Sequence, residues 1–203
     1  MKIICVGRNY LEHINELSNQ VPSEPVIFMK PKTAIANLAF PVYYPKFTDD
    51  LQFEAELVVK ICKNGKRISE SNARQYYNAW TVGLDLTARD LQSKLKKKGL
   101  PWELSKAFDN SAILGRFVPI PQDADINATT FELFVNGEKA QTGYVKDMIF
   151  SIDKIIHFVS QYVTLQMGDL IFTGTPAGVG TVLPYDNFVG TLNGETLLEF
   201  EIY

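Results

Sequence analysis

Phe53-Glu54-Ala55-Glu56-Leu57-Val58-Val59-Lys60-Ile61 is the stretch on which the reading of this chain turns. Its β-branched and aromatic content predicts a strand, yet it carries two carboxylates. Residues two apart on a strand project from one face, so Glu54 and Glu56 stand about 6.6 Å apart along it. The apolar neighbours Leu57, Val58 and Val59 predict burial. Two buried carboxylates repel each other, and each is costly alone. A divalent cation resolves both problems. All-oxygen ligands select a hard ion (magnesium, manganese or calcium) over zinc. The alternative at this point is an exposed edge face carrying two glutamates and no ligand.

On either side the chain alternates between short strands and few helices. Lys63-Asn64-Gly65-Lys66 follows directly as a hairpin signal. Residues 69–78 read as a helix with Ser69 or Ser71 as N-cap, 79–86 as a strand and 88–98 as a helix. Toward the N-terminus, 3–7 reads as a strand. Residues 10–24 are polar, with a weak helical pattern at Leu11, Ile14 and Leu17. Residues 26–29 form a strand closed by Lys30-Pro31. In the second half, Thr130–Val135 leads into a turn at Asn136-Gly137. Ser151 caps a helix whose apolar positions are Ile155, Ile156, Phe158 and Val159. Leu170–Phe172 is a strand, 174–180 a loop and 196–203 a final strand. The sum is a β-dominated α+β fold in one domain, 1–203, without internal repeats.

Composition narrows the function classes. With 203 residues and 46% apolar content, the chain can bury about 70% of its extended surface without disulfides. A net charge of −3 argues against a nucleic-acid binder, and Lys94, Lys96, Lys97 and Lys98 read as a solvated helix end. Cys5 and Cys62 form no CxxC pair, which fits free thiols in a reducing cytoplasm. The opening MKIICVGRNY turns polar too early for a signal peptide. No apolar run approaches the ~18 residues of a membrane span.

Three further segments carry chemistry. Asp85 interrupts the apolar run Val82-Gly83-Leu84-Asp85-Leu86-Thr87 against β-propensity. It reads as a third metal carboxylate or as a helix N-cap, for which Thr87 is the better placed residue. His13 and Glu16 are spaced i, i+3, so on a helix the carboxylate can fix the imidazole tautomer and make a better base. The alternative is a surface pair. Thr173-Gly174-Thr175-Pro176-Ala177-Gly178-Val179-Gly180 offers backbone N–H groups to an anion, or is a plain loop. It matches neither a P-loop nor a dinucleotide fingerprint.

Together and in this order, these segments resemble the fumarylacetoacetate hydrolase family, in its short acylpyruvase and oxaloacetate-decarboxylase-like branch. The resemblance runs through Cys5-Val6-Gly7-Arg8-Asn9-Tyr10 with His13, Ile27-Phe28-Met29-Lys30-Pro31, Glu54-Ala55-Glu56-Leu57, and the stretch from Gly83 to Gln92. It continues through Lys97-Lys98-Gly99-Leu100-Pro101-Trp102 to Lys106, then Asn136-Gly137, Met148-Ile149-Phe150-Ser151 and Thr173 to Gly180. The chain departs at Asp50-Leu51-Gln52-Phe53, where relatives carry His or Tyr, and at Tyr185-Asp186, where Gly-Asp is usual.

The resemblance implies a mixed β-roll and a homodimer. It implies Glu54, Glu56 and Asp85 as ligands of magnesium or manganese, with calcium as a non-native occupant. It implies His13 and Glu16 as a catalytic dyad on a mobile lid over 10–24, and Lys106 as a catalytic lysine. Substrate contacts fall to Arg8, Arg89, Gln92, Gly174 and Thr175. The implied reaction is metal-dependent hydrolysis of 2,4-dioxo acids or decarboxylation of oxaloacetate, both through a pyruvate enolate. An isomerase or tautomerase of the same family, acting on oxo-dicarboxylates, is the alternative. A non-catalytic oxo-acid binding protein is more remote, and nucleic acid and membrane are not expected partners.

Overall fold

The computed structural model describes residues 1–16 and 20–203. In chain order the first elements are β1 (Ile3–Gly7), α1 (Leu11–Glu16), β2 (Val26–Lys30), β3 (Leu51–Phe53), β4 (Ala55–Ile61) and α2 (Glu70–Ala73). Next come β5 (Tyr77–Asp85), β6 (Thr87–Ala88), α3 (Arg89–Lys97), β7 (Ala112–Leu114) and β8 (Val118–Pro119). The second half holds β9 (Thr130–Val135), β10 (Glu138–Tyr144), α4 (Ile152–Tyr162), β11 (Leu170–Phe172), β12 (Gly180–Thr181), β13 (Asn187–Leu192) and β14 (Glu195–Glu201).

These strands form three sheets. The largest has seven strands in the order β2-β1-β11-β4-β5-β7, with β8 also pairing with β5. It is mixed, because β1 and β11 run parallel while β4 pairs antiparallel with both β11 and β5. A four-stranded sheet runs β10-β9-β13-β14 and a three-stranded one β12-β3-β6. The β-dominated α+β reading therefore holds.

Strand β4 is buried on both faces, which explains its near-continuous apolar run rather than a polar–apolar alternation. Leu57, Val59 and Ile61 face the larger core, with Trp80, Val82, Phe131, Phe188 and the buried side of α4. Val58 faces a smaller cluster with Ile3, Cys5, Phe28 and Phe172. By the same alternation Glu54 and Glu56 lie on the Val58 face. The site therefore grows from the side of the large sheet that has the thinner apolar cover.

Several local readings change. The predicted continuous strand over 53–61 breaks at Glu54, because the chain leaves the three-stranded sheet there and enters the seven-stranded one. The N–H of Ala55 donates to the Gln141 side chain at 2.8 Å instead of to a strand. Asn64-Gly65 does not close a tight hairpin. Gly65 instead exchanges backbone hydrogen bonds with Leu165 at 2.8 and 3.0 Å, so β4 and β5 are joined by a longer excursion through α2. The helix expected over 69–78 shrinks to α2 and a 3-10 turn at Arg74–Tyr76, since Tyr77 already pairs with Ile61. Ser69 stands at the N-cap of α2 but makes no side-chain cap bond. Thr87 does not cap α3 either. Its hydroxyl donates to Asp85 O at 3.3 Å, while Asp90 accepts the Leu91 N–H at 2.7 Å. Ser151 does cap α4, accepting from Lys154 N at 3.2 Å, and Asn136-Gly137 turns β9 into β10 with φ of 53° and 83°. The helical pattern expected over 10–24 survives as α1; its Leu17 position, and with it part of the expected lid, lies outside the described residues. Tyr185, at the departure from the family pattern, adopts φ 70°, a conformation that favours glycine.

Gly83 sits directly opposite Glu56 in the β4–β5 register. A Cβ there would come within 2.8 Å of Ile113 O and 2.9 Å of Val58 Cγ2. Gly83→Ala should therefore cost about 1–3 kcal/mol through overpacking, read by urea denaturation with an unchanged m-value. A loss below about 0.5 kcal/mol, the range of neutral surface changes, would show that the strands can separate freely here.

Candidate active site

The β4–β5 register brings the three carboxylates together. Glu56 is opposite Gly83, and the same register carried two residues further places Glu54 opposite Asp85. The Asp85 N–H donates to Glu54 O at 2.9 Å. Directly opposed residues share a face, so Glu54, Glu56 and Asp85 converge, and one carboxylate oxygen from each lies within 4.8 Å of the others. All three are buried. The exposed-edge and N-cap alternatives for these residues thereby fall.

Three cations surround this cluster. Lys106 Nζ lies 2.7 Å from both Glu54 Oε2 and Asp85 Oδ2. Arg89 donates to Glu54 Oε1 at 2.5 Å, to Gln52 Oε1 at 2.7 Å and to Gln92 Oε1 at 2.8 Å. Lys30 Nζ lies 2.7 Å from Asp85 Oδ1. Its hydrogen bonds, however, go to Lys106 O, to Ser111 O at 3.1 Å and to Ser111 Oγ at 3.0 Å. By local pattern Lys30 marks only the end of a strand. A lysine closing an apolar strand with its side chain wholly inside the protein is the signal that could have marked it, because lysine is almost never fully buried without a partner.

The dyad and the glycine loop approach from the other side. His13 Nδ1 is 3.2 Å from Glu16 Oε2, and Glu16 Oε1 accepts the Gly178 N–H at 3.3 Å. His13 is buried, which removes the surface-pair reading. The Gly174 N–H donates to Glu56 Oε2 at 2.6 Å, so this amide serves the ligand carboxylate directly. Gly174 has φ 101°, and a Cβ there would lie 2.6 Å from Asn9 Cβ. Asn9 pins this junction. Its side chain donates to Phe150 O and Thr173 O and accepts from Phe150 N. Thr175 Oγ1 accepts from Gln141 Nε2 at 2.9 Å.

One cavity of about 350 Å³ lies between the two sides of the site. Its polar lining includes Arg8, His13, Glu54, Glu56, Arg89, Gln92, Lys106 and Thr175, and Val26, Phe28 and Trp102 supply apolar wall. Lys96 also lines it, so the lysine run is not wholly a solvated helix end. Arg89 and Gln92 reach the cavity but spend hydrogen bonds on each other and on Glu54, which makes them braces of the cluster as well as wall.

Electrostatics separates the carboxylates. Burial pushes the Glu54 carboxyl up, but Lys106 and Arg89 overcome it and hold it well below the usual carboxylate range. Glu56 is raised, by burial first and then by the charges of Asp85 and Glu54. Burial lowers Lys106, and Asp85 and Glu54 more than restore it, so its ammonium is kept. The cluster fits a hard divalent ion. Asp85 Oδ1 is buried with no hydrogen bond directed at it, and Glu56 carries repulsion that a cation would relieve.

The fumarylacetoacetate (FAA) hydrolase C-terminal family matches residues 2–201 of this chain. The chain is similar to the mitochondrial oxaloacetate tautomerase of Mus musculus, 44% identical over 200 residues that span 98% of this chain and 90% of that protein. It is similar to the structure of a fumarylacetoacetate hydrolase family protein from Yersinia pestis, 40% identical, with a TM-score of 0.94 over 100% of this chain and 93% of the other. It is also similar to fumarylpyruvate hydrolase from Pseudomonas aeruginosa, solved with Mn2+ and pyruvate. The identity is 35% and the TM-score 0.92, over 100% of this chain and 89% of that one.

A carboxyl with a raised folded-state pKa stabilises the metal-free fold while it is protonated, and that contribution is lost as pH rises through the raised value. A metal held by Glu56 competes with a proton on the same carboxylate. Magnesium or manganese should therefore raise the Tm near neutral pH, by about 2.7 kcal/mol of stability at a hundredfold excess over Kd. The rise should shrink as pH falls, because protonation of the carboxylates competes with the metal. Glu56→Gln should leave the metal-free protein at least as stable as wild type near neutral pH and abolish the rise. A metal-induced shift that persists in Glu56→Gln would remove Glu56 from the ligand set.

Proposed function

This chain belongs to the fumarylacetoacetate hydrolase family, and from that premise we propose that it is a divalent-metal enzyme acting on small 2-oxo acids. Keto–enol exchange of oxaloacetate is the central reaction of this reading. The observation that carries it is a cavity lined by Glu54 and Glu56 of a buried carboxylate triad and by His13, which pairs with Glu16 behind it. Glu54, Glu56 and Asp85 would hold magnesium or manganese. Such an ion, when bound, supplies Lewis-acid polarisation of a 2-oxo oxygen.

The chain's own residues account for the proton. Glu16 at Nδ1 orients His13, leaving Nε2 to take a proton from C3 of the keto form and to return it in the reverse direction. The Lys106 ammonium stays charged and faces the same cavity, where it stabilises negative charge developing on the enolate oxygen. Arg8 and Thr175 are partners for the substrate carboxylate. Segment 10–24 is proposed to cover the site, which the bond between Glu16 and Gly178 supports.

The dyad also favours a second reading, hydrolysis of 2,4-dioxo acids. His13 then takes a proton from water, the hydroxide adds to the C4 carbonyl, and the C3–C4 bonding pair passes to the pyruvate enolate. Loss of carbon dioxide from oxaloacetate gives that same enolate without water.

We place the protein in a reducing compartment such as the cytoplasm, which the two free cysteines support. No helix among the described residues is long and apolar enough to cross a membrane. A homodimer is proposed from the exposed apolar surface at Phe40, Tyr43, Leu183 and Tyr185. A monomeric mass in sedimentation equilibrium at micromolar concentration would count against it.

The decisive assay follows oxaloacetate enol by ultraviolet absorbance and pyruvate release from oxaloacetate and acetylpyruvate, each with metal or chelator. Chelator-sensitive enol–keto exchange that falls about 10²–10⁴-fold in His13→Ala is expected. Chelator-sensitive acetylpyruvate cleavage without enol–keto exchange would move the assignment to the hydrolase reading.

A further inference from the structure

We propose that Lys96 is a specificity-determining residue that receives the second, distal carboxylate of a dicarboxylic oxo acid. The proposal rests on the reading above, in which the oxo-acid head is held at the buried triad. On α3 the positions Arg89, Gln92 and Lys96 are spaced i, i+3, i+7 and share one helix face. All three line the cavity, whereas Lys94, Lys97 and Lys98 do not. Lys96 keeps part of its side chain exposed while lining the cavity, so it belongs to the mouth. Its ammonium is placed 5.5 Å from the centre of the Trp102 ring, and Trp102 in turn packs on Phe28 at 5.1 Å between centroids. An aromatic face under an ammonium restrains where the charge sits.

Of the other basic groups, Arg8 is assigned above to the carboxylate of the oxo-acid head, and the rest are already committed. Arg89 is held by Gln52, Gln92 and Glu54, Lys106 by Glu54 and Asp85, and Lys30 by Ser111 and the Lys106 carbonyl. Among the described residues no carboxylate pairs with Lys96, although it faces other cations. Partial burial, followed by the charges of Arg89, Arg8 and Lys106, pulls its pKa down to about 8. A carboxylate arriving at the mouth would relieve that repulsion and accept a charge-assisted hydrogen bond. A neutral acyl tail offers no such gain. Selectivity between substrates with the same head then depends on this one contact.

The test uses the full chain loaded with magnesium, with oxaloacetate as substrate and pyruvate, which carries the head alone, as competitive inhibitor. Lys96→Met should raise the KM for oxaloacetate about tenfold while kcat and the pyruvate inhibition constant stay within about twofold. Lys96→Arg should recover most of the loss, and the metal-induced Tm rise should persist in both variants. Equal weakening of pyruvate and oxaloacetate, an unchanged KM, or loss of the Tm rise would each overturn the assignment. So would a selective loss in Arg8→Met that Lys96→Met does not show. A wild-type protein that neither turns over oxaloacetate nor binds pyruvate would overturn the underlying reading as well, and does so before any variant is made.

Discussion

Glu54 and Asp85 face each other across one strand pair, with the Lys106 ammonium 2.7 Å from an oxygen of each. In so dry a place none of the three could stand alone. Desolvation of an unpaired buried ion costs several kcal/mol, and removal of one partner leaves the others uncompensated. The surrounding structure is arranged to keep this contact. Lys30 reaches across from β2 to the Lys106 carbonyl and Ser111, which ties the segment carrying Lys106 to the edge of the large sheet. Arg89 holds the remaining oxygen of Glu54 from α3, and the Gly174 amide holds Glu56 from the loop after β11. Four further parts of the chain thus meet at the carboxylates of β4 and β5.

The sheet supplies the precision. The three carboxylates sit on β4, at its entry and on its neighbour β5, so their spacing follows from strand register rather than from loop conformation. A slip of one residue would turn Glu56 and Asp85 to the opposite face, into the apolar cluster around Leu57 and Val82. Packing on that far face therefore protects the polar geometry on the near one. The dyad is built differently. His13 and Glu16 lie on the short helix α1 and meet the rest of the site through one contact with the Gly178 amide. Under the proposed function, a rigid carboxylate triad beside a lightly tied histidine suits a site that must admit and release substrate.

Much of this was legible in the chain. Glutamates alternating through an apolar run and an aspartate inside a strand announced carboxylates where carboxylates are expensive, and the i, i+3 pair announced the dyad. The elements predicted well were those whose signal is local: Asn136-Gly137 as a turn, Ser151 as a cap, the apolar strands at 3–7 and 170–172. The failures have one cause, which is that tertiary partners replaced local ones. Asn64-Gly65 looked like a hairpin turn but pairs with Leu165. Thr87 looked like a cap but bonds back to Asp85. The break at Glu54 could not be read from residues, because it exists only where two sheets meet. Lys30 and Asn9 were passed over because their partners lie far along the chain: Lys106 and Ser111 for the lysine, Phe150 and Thr173 for the asparagine.

The buried ion pairs also bear on the order in which the site can fill. Glu54, Glu56 and Asp85, when ionised, are balanced by Lys30, Lys106 and Arg89. Before a metal arrives, the cations left over from that balance are Arg8 and Lys96, which line the cavity. A bound divalent ion adds two positive charges, the amount that a dicarboxylate cancels. Under the proposed function such a pocket favours metal first and acid second, and the acid's departure restores the attractive field for the next acid.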